Sequence, residues 1–232
     1  MQLFYTNTIN GNTAILSEEE TRHCKVLRKG PGDRMHVLDG KGHIYQCAFL
    51  KYSGKGSELA IEQVLSPEPK RHYRLHLYIA PTKQNERMEW MLEKAIEAGL
   101  DEITFIDCAH SEKSRINIER LHKIAVSAMK QSGNLHLPLI HPLTPIHELT
   151  FNGNVLIAHC RADSEKMNLK DAVKGCSASD RFSVLIGPEG DFSDDEVQML
   201  KAKGAIPIAL GNSRLRTETA GLYCAIALNA LH

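Results

Sequence analysis

Two glycine-bearing turns near the carboxyl end of this 232-residue chain constrain its fold more than any other feature. They are Ile186-Gly187-Pro188-Glu189-Gly190 and Leu210-Gly211-Asn212-Ser213-Arg214-Leu215-Arg216-Thr217-Glu218-Thr219-Ala220. Each follows a short apolar run, residues 183–186 and 206–210, that reads as a buried parallel strand, and each leads into a helix. In an open α/β sheet both turns then stand at the carboxyl ends of strands, where ligands bind.

The rest of the chain reads as two textures. Ser17-Glu18-Glu19-Glu20 has the form of a capping box and starts a helix to about residue 27, which Lys29-Gly30-Pro31-Gly32-Asp33 stops. Residues 35–38, 43–52 and 58–65 read as strands joined by Asp39-Gly40-Lys41-Gly42 and Ser53-Gly54-Lys55-Gly56, and with Leu3-Phe4-Tyr5 they can close a small antiparallel barrel. Two prolines in Ser66-Pro67-Glu68-Pro69-Lys70 break any regular element, so the domain boundary is expected there, between a domain of residues 1–68 and one of 72–232. Beyond it strand and helix alternate: a strand at 75–80, a helix at 86–98 ended by Gly99, a strand at 102–106, a helix at 118–130, a strand at 155–158, a helix near 169–173 and a last helix at 218–231. Met88, Met91, Leu92, Ala95 and Ile96 recur at helical spacing and read as core.

Composition excludes some classes and localises others. No apolar stretch approaches membrane-spanning length and the first residues lack a secretion signal, so a cytoplasmic protein with no membrane partner is expected. The six cysteines show no Cys-x-x-Cys pair and no partnered histidine spacing, so no metal is expected and the thiols read as small buried filler. With 28 basic and 28 acidic residues the net charge is zero, and affinity for a polyanion must come from placement. Arg22, Lys25, Arg28, Lys29 and Arg34 face only Asp33, and a second cluster, Lys113, Arg115, Arg120, Lys123 and Lys130, is offset only by Glu112 and Glu119. Either is compatible with a solvated helix face; together they raise the prospect of a shared groove.

Glycine after a buried strand lets a ligand reach main-chain N–H and C=O groups, and Gly187, Gly190 and Gly211 meet that need. There is no Gly-x-Gly-x-x-Gly and no Walker lysine, so backbone groups and apolar walls, with little phosphate, suit these turns. Polar residues crowd between Gly211 and the apolar helix that follows. An arginine near the core needs a partner, and Arg216 with Glu218 or Glu189 is the expected pair, with Thr217 available as a helix cap.

These two turns resemble the signature segments of the ribosomal small-subunit (16S) RNA uridine-N3-methyltransferases, a branch of the knotted SPOUT superfamily. His23-Cys24-Lys25-Val26-Leu27-Arg28 with Gly32-Asp33 resembles the family's amino-terminal RNA-binding barrel. Lys94-Ala95-Ile96-Glu97-Ala98-Gly99-Leu100 and Gln131-Ser132-Gly133 resemble further segments, so the likeness spans nearly the whole chain. The chain departs from the pattern where Asp191 stands for glycine, Ser213 for arginine, and Lys130-Gln131-Ser132-Gly133-Asn134 for a Glu-Gln-Ser-x-Arg run.

The resemblance implies an α/β fold: a small PUA-like β-barrel that binds RNA, followed by a mostly parallel SPOUT domain whose last segment threads a trefoil knot. It implies S-adenosyl-L-methionine held by Ala158, His159, Ile186, Gly187, Pro188, Glu189, Gly190, Leu210, Gly211, Leu215, Arg216, Thr217, Thr219 and Ala220, within a homodimer. The expected reaction is methylation of uridine N3 in ribosomal RNA, free or in the small ribosomal subunit. Arg216 is expected to stabilise the oxyanion, with Glu189 and Glu218 as candidate bases. Arg22, Lys25, Arg28, Lys29, Lys113 and Arg115 are expected to grip RNA phosphates. A ribose 2′-hydroxyl target, or a non-catalytic RNA-binding assembly factor, stays open as an alternative.

Overall fold

The structure, a computed structural model, describes residues 2–65, 73–112, 115–161, 165–174 and 180–231. It divides into two compact units, residues 1–70 with 126–137, and residues 71–125 with 138–232. The proline-bearing boundary at 66–70 lies outside the described residues.

The first unit holds strands β1 (Leu3–Tyr5), β2 (Thr8–Asn10), β3 (Thr13–Leu16), β4 (Arg34–Leu38), β5 (Ile44–Ser53) and β6 (Gly56–Leu65), with helix α1 (Glu18–Val26). They form one six-stranded sheet in the order β1-β4-β5-β6-β3-β2. The sheet is not wholly antiparallel as expected, because β1 runs parallel to β4. Alternation explains the core: Met35 and Val37 on β4, Cys47 and Phe49 on β5 and Leu59 on β6 point inward with Phe4, Ala14 and Leu16, and Cys24 of α1 joins them. Asp39 fixes the first hairpin by accepting from Lys41 N at 2.7 Å and His43 N at 3.1 Å. Burial pushes its carboxyl up, but the bonds from Lys41 N and the His43 ring outweigh that and hold its pKa below the usual carboxylate value.

Only half of the expected capping box forms at Ser17. Its Oγ accepts from Glu20 N at 3.3 Å, but the Glu20 carboxylate turns instead to Lys130 Nζ at 2.5 Å. Lys130 belongs to the carboxyl half of helix α3 (Ile118–Ser132), the part of that helix assigned to the first unit.

The second unit carries β7 (Arg74–Ile79), α2 (Asn85–Glu97), β8 (Glu102–Asp107), the start of α3, β9 (Leu139–Pro145), β10 (Asn154–Ala158), β11 (Met167–Asn168), α4 (Leu169–Ala172), β12 (Arg181–Ile186), α5 (Asp194–Ala202), β13 (Ile206–Ala209) and α6 (Thr217–Leu231). Its seven strands form one sheet in the order β11-β13-β10-β12-β7-β8-β9, parallel at every pairing. As expected for buried parallel strands, β10 and β12 are largely apolar, whereas β7 alternates and turns Arg74 and His76 to one face. Tyr78, Ile106, Ile157 and Leu185 pack with Val197 and Leu200 of α5. A complete capping box forms at Ser193: its Oγ accepts from Glu196 N, and Glu196 Oε2 accepts from Ser193 N at 2.8 Å. Glu196 Oε1 also accepts from Ala109 N at 2.7 Å, tying the loop after β8 to α5.

Candidate functional site

The strand order brings the carboxyl ends of β10, β12 and β13 side by side, and a cavity of about 640 Å³ opens there. That volume is in the range of small-molecule sites. Three segments line it: Ala158, His159 and Cys160 after β10; Ile186 to Glu189 and Asp191 after β12; and Ile208 to Thr217 with Ala220 after β13. Ala158, His159, Ile186, Gly187, Pro188, Glu189, Leu210, Gly211, Leu215, Arg216, Thr217 and Ala220 are therefore together. Gly190, Glu218 and Thr219 are not among the lining residues.

Close approach explains Gly187, and backbone conformation explains Gly211. At Gly187 a Cβ would meet the Phe192 ring at 3.0 Å, so the turn after β12 folds tightly over that buried side chain. Gly211 adopts φ 137°, a left-handed value other residues rarely hold, and no atom lies within 4 Å of where its Cβ would be. Gly190 serves packing instead, since a Cβ there would meet His110 Cβ at 2.9 Å.

The two turns are joined, but not by the expected ion pair. Thr217, the first residue of α6, donates its hydroxyl to Gly187 O at 3.0 Å in a buried bond. Arg214 adds a second link, its guanidinium donating to Glu189 O at 3.3 Å. Glu218 is buried beside Arg87 of α2, with 3.8 Å between Oε1 and Nε. The Arg216 guanidinium is exposed on the cavity wall and has no ion-pair partner among the described residues. The Glu189 carboxylate, also exposed, is likewise without one. The reason is reach: Arg87 approaches from a helix far away in sequence and takes the buried carboxylate that Arg216 was expected to neutralise.

Asp191 fastens the third segment. Among the described residues it is one of two non-glycine residues at positive φ, 66°, a conformation aspartate tolerates because its short carboxylate bonds locally. Its Oδ1 accepts from Phe192 N at 2.9 Å and its Oδ2 from Cys160 N at 2.8 Å, across to the segment after β10. Lys166 Nζ, which the sequence did not single out, donates to His159 O at 2.8 Å on the same wall. Burial, with Lys166 adding to it, holds the His159 pKa below its usual value. Cys160 departs from the filler reading, being exposed and part of the lining; Cys24, Cys47, Cys108 and Cys224 are buried as expected, and Cys176 lies outside the described residues.

The basic clusters separate. In the first unit Arg22, Lys25 and Arg28 are exposed and Lys29 half-buried, with no ion pair among the described residues. Lys25 Nζ stands 5.3 Å from the ring centre of Tyr52, whose hydroxyl donates to Lys29 O at 2.8 Å. In the other cluster Arg120 is bound bidentately by Glu89, and Lys130 by Glu20. Arg115 is exposed, and Lys113 lies outside the described residues.

A second cavity, of about 320 Å³, sits toward the amino ends of β7, β8 and β12, with β9 on its other side. His76, Glu102 and His141 meet in it: Glu102 Oε2 lies 3.5 Å from His76 Nδ1 and 3.4 Å from His141 Nε2. Burial brings the His76 pKa down to about 4, against the pull of Glu102 and with help from His141 and Arg181.

A parallel sheet with a cavity of small-molecule size at its carboxyl strand ends, and a separate small sheet unit in which Arg22, Lys25 and Arg28 stand exposed, define a two-unit α/β protein. Residues 69–229 match the RNA methyltransferase domain family, and residues 16–62 match the RNA methyltransferase PUA domain. The chain belongs to the RNA methyltransferase domain family, with the PUA-like and mostly parallel α/β architecture expected of it. The ribosomal RNA small subunit methyltransferase E of Buchnera aphidicola (strain APS) is 28% identical over 242 residues, covering 99% of this chain and 93% of that protein. The crystal structure of a probable rRNA-methyltransferase from Porphyromonas gingivalis superposes with a TM-score of 0.88 at 38% identity, covering 100% of this chain and 98% of that one. The same fold is seen, at TM-score 0.83 and 24% identity over 100% of this chain and 98% of the other, in a ribosomal RNA small subunit methyltransferase E from Neisseria gonorrhoeae bound to S-adenosyl methionine.

Proposed function

We propose that this protein transfers a methyl group from S-adenosyl-L-methionine to N3 of a uridine in 16S ribosomal RNA. The observation that carries the reading is the 640 Å³ cavity at the three strand ends, with an unpaired arginine on its wall. Its residues fit such a cofactor. Ala158, Ile186, Pro188, Ile208, Leu210 and Leu215 offer apolar surface to an adenosine and a thioether, and the open space over Gly211 leaves main-chain groups accessible. When bound, the cofactor supplies an electrophilic methyl group on a sulfonium sulfur.

The chain's residues would do the rest. Thr217 and Asp191 hold the three segments in register, which fixes the line of attack on which displacement depends. Uracil N3 is a poor nucleophile while protonated. The Glu189 carboxylate, exposed on the cavity wall and without an ion-pair partner among the described residues, is assigned the role of accepting that proton; Glu218, buried beside Arg87, is assigned a structural role. Arg216 stabilises the negative charge that develops on the flanking carbonyl oxygens as the proton leaves. RNA is held through phosphates by Arg22, Lys25, Arg28 and Lys29, with Arg115 and Lys113 as further contacts and Tyr52 as a stacking surface.

The proposal includes a knotted, cytoplasmic enzyme that acts as a homodimer. Exposed Trp90 on α2 and Tyr223 and Ile226 on α6 supply apolar surface for that contact. Nucleoside mass spectrometry of small-subunit RNA tests the reaction. Cells lacking the protein are expected to lose N3-methyluridine and regain it with the wild-type gene; loss of a 2′-O-methylated nucleoside instead would reassign the target, and an unchanged profile would remove the activity.

A further inference from the structure

Three side chains of metal-ligating type converge on the parallel sheet away from the strand ends just described. His76 comes from β7, Glu102 from the first position of β8 and His141 from β9. Their ligating atoms all lie within 4.8 Å of one another. The separations of 3.4 and 3.5 Å from Glu102 Oε2 to the two imidazole nitrogens are long for hydrogen bonds. Both are near the spacing of ligand atoms around a single metal ion. With metal–nitrogen and metal–oxygen bonds of about 2.0–2.1 Å, tetrahedral ligand atoms stand about 3.3–3.4 Å apart.

The surroundings orient the set. A hydrogen bond of 2.7 Å between His76 Nε2 and Thr104 Oγ1 occupies that nitrogen and leaves Nδ1 facing Glu102. Such a contact on the remote ring nitrogen is how proteins commonly fix a ligating histidine. His76 also stacks on Tyr78 with ring centres 3.9 Å apart, which holds the ring plane. Side-chain exposures of 21% for His76, 18% for Glu102 and 40% for His141 describe a pocket closed on the protein side and open on the other. Arg74 and Arg181 line the cavity too, offset in part by Glu148.

We propose that His76, Glu102 and His141 form a mononuclear site for a divalent transition metal of the zinc class, with the fourth position open to water or a small anion in the cavity. Two imidazoles and one carboxylate are a borderline donor set that suits zinc or cobalt and disfavours calcium and magnesium, which take oxygen ligands. The site is independent of the methyl-donor cavity, so it stands or falls separately from the proposed reaction.

The test uses the full chain, purified without a histidine tag, stripped with chelator and titrated with cobalt(II). One equivalent is expected to bind with the intense visible bands of a four-coordinate ion and no thiolate charge-transfer band, and to be displaced by zinc(II). His141→Ala and Glu102→Gln are each expected to lower affinity at least a hundredfold, while circular dichroism shows the fold retained. His141 is partly exposed, so its truncation leaves little void. Absence of saturable uptake, wild-type affinity in both variants, or a thiolate band placing the ion on Cys160 would each overturn the assignment.

Discussion

Helices α1 and α3 each bring a run of basic residues, and in the sequence the two runs look alike. In the structure they differ. On α3 Arg120 is clasped by Glu89 and Lys130 by Glu20, whereas Arg22, Lys25 and Arg28 on or just past α1 stand exposed and unpaired among the described residues. The same division separates Arg87 from Arg216: one neutralises the buried Glu218, the other faces the cavity alone. Charge content thus says little about role; the partner, or its lack, says more. A cation the fold has already matched serves the fold, and one it leaves bare is free for a ligand.

The sharpest way to break this comparison is Arg216→Ala. Removal of a charge-stabilising donor is expected to cost about 10²–10³ in kcat, with the melting temperature unchanged. A variant that unfolds would move Arg216 into the structural group. Lys130→Met should do the opposite, leaving catalysis per folded molecule intact while destabilising the first unit by about 3 kcal/mol, because it strands a carboxylate whose Oε2 already has no hydrogen-bond partner. Chemical denaturation followed by tyrosine fluorescence measures it. Thr217→Val tests the link between the turns: an unsatisfied Gly187 carbonyl costs about 1–3 kcal/mol, and calorimetry should find weaker S-adenosylmethionine binding. The smallest effect separates the basic runs directly. Lys25→Ala is expected to lower the slope of log affinity for single-stranded RNA against log salt by about 0.7, while Arg120→Ala leaves that slope as it was.

Much of the architecture was legible in residue order. Strand and helix signals marked β7, α2, β8, α3, β10, α4, β12, β13 and α6 close to their observed bounds, with Met88, Met91, Leu92, Ala95 and Ile96 giving α2 its helical period and Gly99 its stop. Strand β9 escaped because Pro142 and Pro145 sit within it; as the last strand of the sheet, bonded only to β8, it tolerates lost donors. Strands β2 and β11 have three and two residues and show no period to read. Of the cavity, the glycines and flanking apolar residues announced the turns, and the resemblance supplied the third segment. Side-chain pairing was not legible. Arg87 with Glu218 and Lys130 with Glu20 join elements distant in sequence, and nothing in local spacing ranks such partners. The same holds for His76, Glu102 and His141, which lie on three strands and follow no ligand motif. Reading the cysteines alone therefore suggested no metal, and it passed over them.

The left-handed Asp191, bonded across to Cys160 N, has a further consequence for binding. A wall that is already braced loses little conformational entropy when a guest arrives, because that loss is incurred once, as the chain folds. The bond across to Cys160 therefore makes the cavity wall part of the folded framework, so the ordering of that wall is not charged against the affinity of whatever binds there.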